Sequence, residues 1–169
     1  LLLGRGAEIE ARDQGGRTAL HLAAENGHSS AITLLLDRGA QIEAKTKDGM
    51  TALQRAAEYG HTSAIALLLD RGAQIEAKTE GGLTALHRAA EYGYSPAITL
   101  LLDRGAQIEA KTKDGMTALQ RAAEYGHTSA IALLLDRGAQ IEAKAEVGLT
   151  ALHRAAEYGY SPAITLLLD

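Results

Sequence analysis

The chain repeats itself every 33 residues, and no other property restricts its fold as tightly. The stretch GMTALQRAAEYGHTSAIALLLDRGAQIEAK at 49–78 returns letter for letter at 115–144. A variant, GLTALHRAAEYGYSPAITLLLD, stands at 82–103 and returns at 148–169. A more divergent copy, GRTALHLAAENGHSSAITLLLD, occupies 16–37. A unit of this size is too short to bury a core alone, so the units must stack and shield each other's apolar side chains. The 169 residues, a length that suits one ordinary globular domain, therefore read as one linear array.

Every unit has the same internal grammar. Thr51-Ala52-Leu53-Gln54 has the form of a capping box, in which the threonine oxygen accepts from an early helix amide and the glutamine reaches back. His21, His87 and His153 replace the glutamine in alternate units and are expected to serve the same local role. Leu53, Ala56 and Ala57 follow at i, i+3, i+4, the apolar stripe of a short helix that Gly60 stops. A cap at Thr62 or Ser95 is expected to start a second helix, with Pro96 and Pro162 one residue later, where a missing amide costs nothing. Its run Ala64-Ile65-Ala66-Leu67-Leu68-Leu69 is apolar almost all round, which predicts burial on most sides before Gly72 ends it. The following segment, 73–81, is too polar and too short for a third helix. Ile75 between Gln74 and Glu76 suits an extended hairpin arm.

The helix pairs thus fall at 16–37, 49–70, 82–103, 115–136 and 148–169, with 1–15 the stub of a preceding unit and its loop. Leu1–Leu3 read as the end of a helix, in phase with Leu34–Leu36, and both ends cut the pattern at one phase, as in an excerpt of a longer array. Ala56, Ala57, Ala89, Ala90, Ala122 and Ala123 are small enough for helix axes to approach to roughly 8–10 Å.

Composition narrows the function. With 46% apolar residues, 22% charged, and neither Phe nor Trp, the core is built from close Ala, Leu and Ile contacts. Lys and Arg are scattered through every unit and the net charge is −4, which argues against nucleic acid as the main partner. No apolar run approaches the roughly 18 residues of a membrane helix. There is no Cys, hence no disulfide framework or thiolate metal site, which fits an intracellular, cytoplasmic setting. The histidines, at 21, 28, 61, 87, 127 and 153, do not pair with His, Asp or Glu at zinc spacing. No Ser-His-Asp set or glycine-rich phosphate loop is present, so neither a cofactor nor an enzyme active site is expected.

The pattern G-x-T-A-L-H/Q-x-A-A-x-x-G-H/Y, followed by L-L-x-x-G-A at a 33-residue period, resembles the ankyrin repeat over the whole chain. The resemblance implies an all-α solenoid of stacked helix-turn-helix units with β-hairpin finger loops. It also implies non-catalytic binding of a protein on the concave face, formed by the fingers and first helices. Two departures stand out. The family's Thr-Pro-Leu-His is Thr-Ala-Leu-His or Thr-Ala-Leu-Gln here, which weakens the first turn slightly. Glu43, Glu76, Glu109 and Glu142 stand where the family often has Asn, so modification of that Asn is not expected.

Carried over residue by residue, the family's contact positions are Lys45, Lys47, Asp48, Met50, Glu58 and Tyr59 in the second unit. In the third they are Lys78, Glu80, Gly81, Leu83, Glu91 and Tyr92, and in the fourth Lys111, Lys113, Asp114, Met116, Glu124 and Tyr125. Lys144, Glu146, Val147, Leu149, Glu157 and Tyr158 are those of the fifth. The four tyrosines should form one row of rigid amphipathic anchors. The competing expectation lays each ring across an arginine one helical turn earlier, Arg55 against Tyr59. Met50, Leu83, Met116 and Leu149 sit at finger bases expected to face solvent, either for contact or for packing under the next finger. Lys45 and its equivalents read equally as a solvated face.

Natural binding arrays usually vary their finger tips, and these vary little. Recent duplication of a 66-residue pair within a scaffold or receptor is one explanation; a structural spacer or engineered array without a dedicated partner is the other. Because 148–169 repeats an internal unit, Ile164 and the terminal leucines keep an internal-type surface. Self-association through uncapped ends, or fraying of the last helix pair, is therefore expected.

Overall fold

A computed structural model describes residues 6–169. The expected helix stub at Leu1–Leu3 lies outside them. Ten helices follow, two per repeat: α1 (Ala19–Glu25) and α2 (Ser29–Asp37), α3 (Ala52–Glu58) and α4 (Thr62–Asp70), α5 (Ala85–Glu91) and α6 (Ser95–Asp103), α7 (Ala118–Glu124) and α8 (Thr128–Asp136), α9 (Ala151–Glu157) and α10 (Ser161–Leu168). The odd-numbered helices pack side by side in one layer and the even-numbered ones in a second. Each helix also packs on its partner within the repeat, so the core runs as one continuous seam from Leu20 to Leu167.

The alanine pairs explain the close layer. Ala56, Ala57, Ala89, Ala90, Ala122 and Ala123 are all inaccessible, and Leu53, Leu86 and Leu119 fill the seam between them. Burying one such leucine stabilises the fold by roughly 1.5–3 kcal/mol. In the second layer Ala64, Ile65 and Leu68 are buried, whereas Ala66, Leu67 and Leu69 are only partly so. The expectation of burial on most sides is corrected accordingly: one face meets the first-helix layer, and the opposite face has no third layer to cover it.

Capping boxes form at every first helix, on Thr18, Thr51, Thr84, Thr117 and Thr150. The second helices differ from expectation by one residue. Thr62 and Ser95 are the first helical residues, and His61 and Tyr94 occupy the cap position without a side-chain cap bond. The His61 carbonyl already accepts from Ile65, at 2.9 Å, while the Thr62 amide turns back to Gly60. Pro96 follows Ser95 in the first turn, where its missing amide breaks no helix bond.

The fingers are turns, with no strand among the described residues. Ile75–Glu76 is a turn closed by the Ala77 amide on the Gln74 carbonyl at 3.1 Å, so the extended arm expected there is absent. The tip is a hairpin-like loop in which Thr46 N–H donates to the Met50 carbonyl at 2.9 Å and Gly49 N–H to the Thr46 carbonyl at 3.0 Å. Successive tips touch through single backbone bonds, Lys47 N–H to the Gly15 carbonyl and Lys113 N–H to the Gly81 carbonyl, both 3.0 Å. One bond per step is too few for a ladder.

Candidate protein-binding face

The clearest exposed feature is the tyrosine row. Tyr59, Tyr92 and Tyr125 end α3, α5 and α7 as their C-caps, and Tyr158 ends α9. They are 44%, 44%, 43% and 51% exposed, although α3, α5 and α7, which bear the first three, are largely buried. Each ring lies near-parallel to the ring two residues on, His61, Tyr94, His127 or Tyr160, with centroids 6.4 Å apart. That stacking replaces the arginine contact expected from i, i+4 spacing. Arg55 turns instead to Glu58 at 3.0 Å and Asp48 at 3.8 Å, which draws the guanidinium toward its own finger. The row is also tied between repeats, for the Tyr92 hydroxyl donates to Glu58 at 3.2 Å. Partial burial, and then the negative field of Glu58, push the Tyr92 hydroxyl above its ordinary pKa.

The other expected contact residues divide by burial. Lys47, Asp48, Glu80, Gly81, Lys113, Asp114, Glu146 and Val147 are exposed at finger tips. The Thr46 hydroxyl donates to Asp48 at 2.7 Å and holds its carboxyl below the usual range; Thr112 does the same to Asp114. Lys45, Lys78 and Lys111 are exposed along their stems, but each ammonium donates to the carbonyl of the equivalent lysine one repeat on, at 2.9–3.2 Å. Lys144 is exposed. Glu58, Glu91 and Glu124 are half-buried and paired with Arg55, Arg88 and Arg121 at 3.0–3.3 Å, whereas Glu157, paired with Arg154, is exposed.

The finger-base residues require a correction. Met50 and Met116 are 1% exposed and Leu83 8%, and Leu149 is half-buried; none faces solvent freely as expected. The next repeat covers the two methionines, Arg88 laying its guanidinium against the Met50 sulfur at 3.8 Å and Arg154 against that of Met116. Packing under the neighbouring unit is the observed role of Met50 and Met116.

Several bridging residues escaped the sequence reading. Gln54 accepts from Thr51 N–H at 2.8 Å, as a capping box requires, and then donates its amide to the Ala77 and Leu83 carbonyls of the next repeat at 2.7 and 2.9 Å. In the second to fifth repeats the residue after the glycine that ends the first helix is a plug. His61 lies against Gly27, Tyr94 against Gly60 and Tyr160 against Gly126, each in the preceding repeat. Asp37–Arg71, Asp70–Arg104 and Asp103–Arg137 form an exposed ladder at 2.8–2.9 Å. Glu43, Glu76 and Glu109, at the family's Asn position, accept from the backbone amides of Gln74, Gln107 and Gln140 at 2.8 Å. One signal for these was present: opposite charges recurring at i, i+34, just over one period.

No group of three metal-ligating side chains exists among the described residues. An open groove of about 410 Å³ between α4 and α6 carries a single carboxylate, Asp103, already engaged by Arg137. No helix among the described residues is long and apolar enough to cross a membrane.

Such a stack, with a buried seam and one exposed aromatic row, defines the class of helical repeat solenoids. A family model described as "Ankyrin repeats (3 copies)" matches residues 1–79, 44–112 and 86–169, and the chain belongs to the ankyrin repeat family. Ankyrin repeats are generally protein–protein interaction modules and are typically non-enzymatic. No curated protein matches the chain.

Proposed function

We propose that this chain is a non-catalytic module that holds a protein partner against its tyrosine row and finger tips, within a larger intracellular, cytoplasmic scaffold or receptor. The carrying observation is the row itself: four tyrosines kept exposed at equivalent places, their rings braced by stacking. Ordering them beforehand lowers the entropy lost on binding, and tyrosine is favoured at binding hot spots. Lys47, Asp48, Glu80, Lys113 and Asp114 supply a polar rim. Glu58, Glu91 and Glu124 act in this reading through the rings and arginines they hold. Met50, Leu83, Met116 and Leu149 support the face from beneath.

The test is capture of protein partners from lysate by the chain and by a Tyr59→Ala, Tyr92→Ala, Tyr125→Ala, Tyr158→Ala variant of unchanged helicity. Loss of a specific partner is expected. Equal capture by both removes the row from the binding surface.

A spacer role has one observation in its favour. Lys45, Lys78 and Lys111 hold one repeat to the next, as Glu58 does through the Tyr92 hydroxyl, and are to that extent engaged within the stack. A chain that captures nothing, yet resists stretching repeat by repeat, would be a spacer.

A further inference from the structure

The histidines that bridge repeats are confined to alternate interfaces. Between the first and second repeats, His21 Nε2 meets the Met50 carbonyl at 3.0 Å and His61 Nε2 meets the Glu25 carbonyl at 2.9 Å. Between the third and fourth, His87 meets the Met116 carbonyl at 3.0 Å and His127 the Glu91 carbonyl at 2.9 Å. At the second–third and fourth–fifth interfaces the same positions hold Gln54 with Tyr94 and Gln120 with Tyr160. Glutamine has no titratable group, and the ordinary range of a phenol lies well above pH 8. His28 and His153 are exposed. We propose that the first–second and third–fourth interfaces are acid-sensitive hinges, while the second–third and fourth–fifth pairs hold as blocks.

The asymmetry arises at the two ring nitrogens. Thr18 N–H lies 3.1 Å from His21 Nδ1, and an N–H only donates, so Nδ1 accepts and Nε2 carries the proton toward Met50. Thr84 fixes His87 in the same way at 3.2 Å. Protonation adds a hydrogen at Nδ1. The threonine hydroxyl, 2.9 Å away, can turn and accept it. The backbone amide cannot, so two donors then face each other inside a buried cap. The charged groups facing His21 are Arg12 and Arg55, and those facing His87 are Arg121 and Lys78, all cations; the Met50, Ala44, Met116 and Ala110 carbonyls are the other partners. Burial first, and these cations with it, hold both rings neutral.

His61 Nε2 and His127 Nε2 meet the Glu25 and Glu91 carbonyls at the opposite edge of each interface. Loosening at His21 and His87 with that edge still joined makes a hinge. Gln54 and Gln120 make the capping bond and two bonds to the next repeat without a titratable group, so their interfaces have no such response.

Hydrogen exchange, read segment by segment at about pH 7 and about pH 4.5 and corrected for intrinsic rates, tests this. The amides whose bonds cross the two hinges, Lys47 on Gly15 and Lys113 on Gly81, should exchange faster at the lower pH. At the third–fourth hinge the factor is roughly fiftyfold, set by an unfolded histidine near 6.5 and His87 at about 4. The Glu146 amide, which crosses the fourth–fifth interface to Asp114, should change by less than about threefold. A His21→Gln, His87→Gln variant, which places at these sites the residue found in the second and fourth repeats, should lose the difference. Gln120→His should carry the response to Glu146. Acceleration at Glu146 equal to that at Lys47 and Lys113, or acceleration that survives in the double glutamine variant, overturns the proposal.

Discussion

Gly60 shows how much one residue carries. Its φ is +72°, and a Cβ there would stand 2.6 Å from the Tyr94 ring of the next repeat. Gly60→Ala should therefore cost about 3 kcal/mol, combining left-handed strain with a displaced ring. Gly72→Ala, at φ +90° with open space around it, should cost only the backbone part, roughly 1–2 kcal/mol. Urea unfolding of the two variants separates the contributions. Gln54 makes a similar contrast. Gln54→Ala strands Thr51 N–H and two carbonyls and should cost about 2–4 kcal/mol, whereas Gln54→His restores the cap and one bridge and should cost under about 1.5 kcal/mol near pH 7.5. His87 adds a pH dependence of definite sign. Burial lowers its pKa from 6.5 to about 4, so its contribution is complete above 6.5 and is lost as pH falls through 4. The loss is roughly 3 kcal/mol, and His87→Gln should flatten it in denaturation curves taken across that range.

At the scale of the element, the first and second helices do different work. A first helix such as α5 is seven residues long, too short to persist alone, and is held by its box at Thr84 and by neighbours on both sides. A second helix such as α4 carries one buried face. Leu68→Ala should thus cost about 2–5 kcal/mol, and Leu67→Ala, half-buried on the outer side, less than half as much, as read from urea midpoints. Both helices were legible in the sequence from the Thr-x-x-Gln spacing, the alanine pair and the stopping glycines. The cap at His61 was not, because it depends on where the Gly60 turn releases the chain. The loop at Ile75 was misread as extended because alternation over three residues describes a turn equally well.

Over the whole molecule, stability follows from one interface repeated. Each repeat is joined to the next by a buried seam, a ring on a glycine and a bridge from the capping residue, and the first four repeats also by exposed Asp–Arg pairs. The last of these should matter least. Arg71→Ala, Arg104→Ala and Arg137→Ala together should lower stability by no more than about 2 kcal/mol, and 1 M salt should erase most of the difference between this variant and the parent chain. A larger, salt-resistant loss would mean that the pairs hold the layer in register. The tyrosine row also belongs to this scale. Its existence was legible from period alone, since any exposed residue repeated every 33 positions must recur along the stack. That its rings would lie on His61 and Tyr94 instead of Arg55 was not, because the arginine had a nearer carboxylate in Glu58.

Periodicity in the letters settled the architecture, since units that cannot bury their own leucines must stack, and a helix pair with its stops leaves few ways to do so. Which face of each side chain meets the neighbouring unit depended on the tertiary arrangement. The far end of Gln54, the place of Met50 under Arg88, and the alternation of histidine between interfaces all involve atoms about 30 residues apart in the chain. Contacts at that separation are fixed by the angle at which one repeat lies on the next, and no local propensity encodes that angle.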